Sequence, residues 1–123
     1  MDRQADHPID PLFLRRWSAR AMAGTPLSSG ELMQLFEAAR WAPSSGNGQP
    51  WRFVYALRDA PAFAGFLDLL VPGNRVWCER AGALMVILSR TVRDNGKPVR
   101  THSFDAGAAW MSLALQGAAQ GLV

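Results

Sequence analysis

The feature that most limits how this chain can fold is the loop Ala42-Pro-Ser-Ser-Gly-Asn-Gly-Gln-Pro50, set between a helical pattern and a strand pattern. Its two prolines and two glycines leave neither a helical nor a strand period intact, so the backbone must turn here. Upstream, Ser28-Ser-Gly-Glu31 has the spacing in which a serine hydroxyl and a glutamate carboxylate each satisfy an orphan N–H at a helix start. Leu32, Leu35, Phe36 and Ala39 then fall on one helical face, and the pattern closes before Pro43. Downstream, Trp51-Arg-Phe-Val-Tyr-Ala-Leu57 alternates in the manner of a strand.

The remaining segments follow the same logic. Residues 1–10 are polar and contain Pro8, which reads as a flexible lead-in to a domain spanning 11–123. Pro11-Leu-Phe-Leu-Arg-Arg predicts a short helix with a basic carboxyl end. Ala62 to Leu70 predicts a second short helix ended by a Val71-Pro-Gly73 turn, and Asn74 to Arg80 a further helical turn. Ala83-Leu-Met-Val-Ile-Leu88 is an apolar run suited to a buried strand. Asp105 to Gln120, rich in Ala, Leu, Met and Gln, predicts a buried helix of the kind that packs at subunit interfaces. At 123 residues, with 49% hydrophobic and 19% charged, the chain can build one core.

Thirteen Lys and Arg against ten Asp and Glu give a net charge of +3. The cations read as scattered apart from Arg15 and Arg16, which argues against a nucleic-acid stripe. A single cysteine, Cys78, can form neither an internal disulfide nor a thiolate metal site, and no metal motif accompanies it. The absence of a long apolar run or a secretion signal gives the expectation of a cytoplasmic protein with no membrane partner.

Two clusters could carry chemistry. In Arg15-Arg-Trp-Ser-Ala-Arg20, guanidinium forks flank a hydroxyl, a donor set suited to phosphate oxygens, although a solvated helix end would have the same composition. In Pro43-Ser-Ser-Gly-Asn-Gly-Gln49, hydroxyls and amides that both donate and accept could match a polar heterocycle, although an ordinary surface turn looks alike. The residues themselves lead to a site for a phosphorylated, ring-bearing ligand and no further.

The order Arg16-Trp-Ser-x-Arg20, followed by Ala38-Ala-Arg-Trp-Ala-Pro-Ser-Ser-Gly-Asn-Gly-Gln-Pro-Trp-Arg-Phe53, resembles the amino-terminal half of the nitroreductase family. Asn74, Trp77, Asp105-x-Gly-Ala-Ala and Gly121-Leu122 extend the likeness over almost the whole chain after Leu12. That resemblance implies a three-layer α+β fold with a central, antiparallel-rich sheet flanked by helices. It also implies an FMN-dependent homodimer with the flavins in clefts between subunits. Electrons would pass from NAD(P)H through FMN to a small-molecule acceptor such as a nitroaromatic or a quinone. By position, Arg16, Ser18 and Arg20 would bind the FMN phosphate and ribityl chain, with Trp17 contributing backbone contacts. Pro43, Ser44, Ser45 and Asn47 would reach the isoalloxazine held chiefly by the other subunit, and Asn74 the pyrimidine side of the ring on its own. Gln49 is the weaker, structural candidate.

In such chemistry the cofactor carries the redox step, so no catalytic residue is assigned to the protein. His7 falls in the lead-in, and His102 suits capping or solvent exposure. Trp17, Trp41, Trp51 and Trp77 read as core or interface packing, and Trp110 as interface packing. Two departures from the family pattern stand out. Trp77 occupies a place where some relatives carry a lysine, and the sequence stops at Gly121-Leu-Val123, where family members continue, so a truncated domain is expected. The alternative to an FMN oxidoreductase is therefore a non-catalytic relative that keeps the fold as a binding or interaction protein.

Overall fold

The computed structural model describes residues 3–123. Helix α2, Ser29–Arg40, is specified at both ends by local chemistry. The Ser28 hydroxyl accepts from the Glu31 N–H at 3.2 Å, and the Glu31 carboxylate accepts in return from the Ser28 N–H at 2.9 Å. The reciprocal box satisfies two donors that a helix start leaves orphaned. Leu32, Leu35 and Ala39 are buried, and Phe36 stacks on Phe53 with ring centroids 5.0 Å apart. Burying a side chain such as Leu32, which is 0% exposed, contributes roughly 1.5–3 kcal/mol before chain entropy is counted.

Before α2, Asp10 caps the short helix α1, Pro11–Arg15, by accepting from the Leu12 N–H, and Pro11 stands at the first position, where a missing N–H costs nothing. Of the polar lead-in 1–10, positions 1 and 2 lie outside the described residues. Arg3 donates to the carbonyls of Leu14 and Arg16 at 2.9 and 2.6 Å.

Strands β1, Trp51–Leu57, and β2, Ala83–Ser89, pair antiparallel with Trp51 opposite Ser89 and Leu57 opposite Ala83. Because side chains alternate along a strand, the ribbon has two different faces. Trp51, Phe53, Leu57 and Met85 pack against α2 and against α5, His102–Ala119. Ala56 and Leu84 pack on the other side against α3, Phe63–Asp68, and α4, Pro72–Cys78. The result is the three-layer α+β arrangement, with an antiparallel sheet between two sets of helices.

Three local expectations change. The apolar run of β2 is half-buried rather than buried, with Leu88 48% exposed, because β1 borders it on one side only. Val71-Pro72-Gly73 does not form a separate turn. Val71 is the residue before α4 and Pro72 its first residue, where proline fits. Helix α5 is buried along one stripe, Asp105, Ala109, Leu113 and Gly117, at a spacing of one helical turn. Its other faces are open, with Phe104 81% exposed and Trp110 46%. Among the described residues no helix is long and apolar enough to cross a membrane.

Candidate functional site

Residues 16–27 leave α1 as an extended segment that lies along the edge of the domain. Close backbone approach holds it there. Leu27 N–H donates to the Gly82 carbonyl at 3.5 Å, and Arg80 donates to the Ala23 carbonyl at 3.1 Å. Gly82 permits that approach, since a Cβ at this position would stand 2.6 Å from the Thr25 carbonyl oxygen. Between the segment, the end of α4, the start of β2 and the open side of α5 runs a groove of about 590 Å³.

The groove brings Arg16, Trp17 and Ser18 onto one wall, with Trp77, Cys78 and Arg80 across from them and Met85 and Leu113 deeper inside. Arg16 is half-buried and makes no ion pair among the described residues, which leaves its guanidinium available to an anion. Arg20 is exposed and does not line the groove. Asn74 is also exposed, on α4, one turn ahead of Trp77 and Cys78. Burial raises the pKa of the Cys78 thiol, so this groove residue is a poor nucleophile.

The loop 43–50 forms a separate feature, and Pro43, Ser44, Ser45 and Asn47 do not line the groove. Its core is a single 3-10 turn, Ser45–Asn47. Gly46, Asn47 and Gln49 have φ of 57°, 51° and 43°, left-handed backbone that Asn tolerates and Gln rarely adopts, interrupted by Gly48 at φ −71°. Specific bonds hold this shape. The Gln49 N–H donates to the Ser44 hydroxyl at 3.0 Å, and the Gln49 amide donates to Asn47 Oδ1 at 2.8 Å. With Oδ1 so engaged, the Asn47 amide nitrogen and the Ser45 hydroxyl remain exposed for an outside ligand. Strained, over-determined backbone of this kind clusters at ligand-binding loops.

Several contributors escape a reading of the sequence by composition. Asp105, only 3% exposed, accepts from the Thr101 hydroxyl at 2.8 Å and from the Ser45 N–H at 3.4 Å, and so anchors the loop to α5. His102 neither caps α5 nor faces solvent fully. It is half-buried, and its Nδ1 lies 2.7 Å from the Ser89 hydroxyl, linking the end of β2 to the start of α5. Of the tryptophans, Trp51 fills the core, whereas Trp41 is 75% exposed, beneath the Arg40 guanidinium. Arg90, Arg93, Lys97 and Arg100 lie within eleven consecutive residues on one hairpin closed by the Val92–Pro98 bridge, a cluster that the reading of the cations as scattered overlooked. The Asp94-Asn95-Gly96 turn was the legible signal of that hairpin.

The fold is a three-layer α+β domain in which a groove carrying Arg16, Ser18 and Trp77 is separate from a loop of hydroxyls and amides. The nitroreductase family's sequence profile matches residues 14–123, and the chain belongs to that family. Its fold superposes on the crystal structure of an oxidoreductase containing FMN with a TM-score of 0.92 and 49% identity, covering 97% of this chain and 62% of that one. A nitroreductase-fold protein of Desulfovibrio desulfuricans, solved in complex with FMN, shares the fold at 22% identity and a TM-score of 0.74, over 94% of this chain and 65% of its own. A Rhodopseudomonas palustris protein provisionally named an NADH dehydrogenase/NAD(P)H nitroreductase is 33% identical over 69 residues, 56% of this chain and 35% of its length. A Streptomyces coelicolor protein of the same provisional name is 39% identical over 64 residues, 52% of this chain and 31% of its own. The matched regions thus span about a third of these curated relatives.

Proposed function

We propose that this chain is the FMN-binding part of an oxidoreductase that takes electrons from NAD(P)H and delivers them to a nitroaromatic, quinone or similar acceptor. The observation that carries the reading is the placement of Arg16 and Ser18 on the wall of a groove of about 590 Å³ that also presents Trp77. Such a volume suits a ligand of drug or cofactor size. An unpaired guanidinium with a neighbouring hydroxyl fits a phosphate monoester, which needs a cation and several donors, and the aromatic and aliphatic walls fit a flat ring.

On this reading Arg16 and Ser18 hold the phosphate and ribityl chain, with the Trp17 backbone beside them and Arg20 reaching in from the exposed segment. Asn74 donates toward the pyrimidine side of the ring on its own chain. Pro43, Ser44, Ser45 and Asn47 do not line that groove, so they serve the flavin of a second copy, and the working unit is a homodimer. Bound FMN supplies the hydride and electron transfer that no protein side chain can perform. The protein's part is to orient the ring, to exclude water, and to stabilise added negative charge by fixed donors such as Asn74 and the Asn47 amide.

The test is an FMN titration of the purified chain followed by flavin absorbance and fluorescence, beside an Arg16→Ala, Arg20→Ala double variant. Saturable binding that is lost in the variant is the expected result, with NAD(P)H-driven bleaching of the bound flavin as its sequel. A folded but colourless protein that never takes up FMN would make the chain the non-catalytic relative instead.

A further inference from the structure

The hairpin between β2 and α5 is, with Arg15 to Arg20, one of two strongly basic segments of the chain, and the proposed flavin chemistry does not use it. Residues 90–100 contain Arg90, Arg93, Lys97 and Arg100 against the single carboxylate Asp94. Their net charge of +3 equals that of the whole chain, so the rest of the sequence is neutral in sum. Four cations against one acid in a short hairpin give that surface a directed positive field.

The hairpin is built rather than loose. Val99 N–H donates to the Thr91 carbonyl, Arg93 N–H to the Lys97 carbonyl, and Gly96 N–H to the Arg93 carbonyl, at 2.8, 2.8 and 2.9 Å. Gly96 turns the chain at φ 77°. Arg90 donates to Asp94 at 2.6 Å, which neutralises the only acid of the hairpin. Arg93 and Lys97 are exposed and form no ion pair among the described residues.

Where the hairpin meets loop 43–50 there is a small pocket of about 220 Å³, lined by Arg90, Arg93, Asp94 and Val99 on one side and by Gly48 and Pro50 on the other. The Arg90 N–H donates to the Pro50 carbonyl at 2.8 Å, which ties the hairpin to the end of the loop. The volume is below that of a usual whole-ligand pocket and has room for a phosphate group. Loop 43–50 therefore stands between two sites of different character, a ring-reading surface at Ser45 and Asn47 and a cationic pocket at its carboxyl end.

We propose that this pocket is a phosphate subsite, taking the phosphate groups at the adenosine end of a pyridine dinucleotide whose reactive ring lies on the other side of loop 43–50. The assignment of the dinucleotide rests on the oxidoreductase reading above, whereas the anion subsite rests on the hairpin alone. Arg93 supplies the guanidinium fork and Arg90 orders the wall through Asp94, while Lys97, on the same hairpin but off the pocket wall, adds only to the surrounding positive field.

The experiment is calorimetric titration of the purified chain with adenosine 2′,5′-bisphosphate, inorganic pyrophosphate and adenosine, at low and high salt. An Arg93→Gln, Lys97→Gln double variant and an Arg16→Ala variant are titrated alongside, with circular dichroism as the check on folding and FMN titrated in parallel. The expected result is bisphosphate binding that weakens with salt, falls about ten-fold or more in the hairpin variant, and persists in Arg16→Ala. Adenosine alone does not bind. Undiminished bisphosphate affinity in the folded hairpin variant, or no binding by the folded parent, overturns the subsite. Equal affinity for pyrophosphate and bisphosphate overturns the dinucleotide source and assigns the pocket to free diphosphates. Loss of FMN binding alone, with hairpin-dependent bisphosphate binding intact, sinks the oxidoreductase reading and leaves the anion subsite standing.

Discussion

The carboxylate of Asp105 accepts a hydrogen bond from the backbone N–H of Ser45, sixty positions earlier in the chain. This contact joins the first turn of α5 to the 3-10 turn of loop 43–50, and Asp105 also takes the Thr101 hydroxyl. A buried carboxylate so placed is both a structural pin and the link between the core and the loop that presents Ser45 and Asn47.

Replacing Asp105 with alanine strands the Ser45 N–H and the Thr101 hydroxyl. The expected loss is about 1–3 kcal/mol of unfolding free energy, with the isosteric Asp105→Asn losing less because its amide oxygen still accepts. Urea denaturation of both variants measures this. Equal stability of Asp105→Ala and the parent would show that Pro43 and Pro50 hold the loop unaided.

Gly82 is predicted to tolerate no side chain. A Cβ there meets the Thr25 carbonyl at 2.6 Å and the Leu27 nitrogen at 3.2 Å, so Gly82→Ala must push residues 25–27 outward. Overpacking of this kind costs about 1–3 kcal/mol. Because the displaced segment forms the groove wall, FMN uptake should weaken together with thermal stability. A variant with unchanged melting temperature would contradict the contact.

Ser28→Ala removes the hydroxyl that accepts from the Glu31 N–H, and caps of this type contribute about 1 kcal/mol. Ser28→Asp should recover most of the loss, since its carboxylate can accept the same bond. Guanidinium unfolding curves of the two variants distinguish a capping effect from general surface disruption, which would leave the aspartate no better than the alanine.

The Arg40 guanidinium, at 2.6 Å, and the Trp41 indole N–H, at 2.9 Å, both donate to Glu37 and hold its pKa down to about 2. A folded-state pKa below the unfolded value gives stability that is complete above the unfolded pKa. It is lost as pH falls from the usual glutamate range toward about 2. Both side chains are more than half exposed, at 57% and 55%, so screening keeps the effect modest and salt-sensitive. Carboxyl NMR should show Glu37 titrating well below the usual glutamate range, and Arg40→Gln should return it toward that range. A normal Glu37 titration in the parent would mean that the bonds do not persist in solution.

Much of this protein is local and was therefore legible in its sequence. The capping box set the start of α2, and Pro43 and Pro50 bounded the loop. Alternation and the apolar run located both strands, β1 at its observed limits and β2 to within its final residue. These features depend on neighbours a few residues apart, where periodicity and turn chemistry act directly. The unusual order of Arg16, Ser18 and the loop residues carried the family as well.

What the tertiary structure alone decided is how distant segments meet. It placed Arg16 and Ser18 on a groove wall with Trp77, and left Arg20 and the loop off that wall. It seated Asp105 under Ser45 and pressed Gly82 against Thr25. It also set Arg90, Arg93 and Asp94 of the hairpin against Gly48 and Pro50 of the loop, around one small pocket. Each of these relations is fixed by how the packed helices and strands bring backbone and side chains together in space. No local period encodes which segment a given residue will meet, and packing of the whole chain settles it.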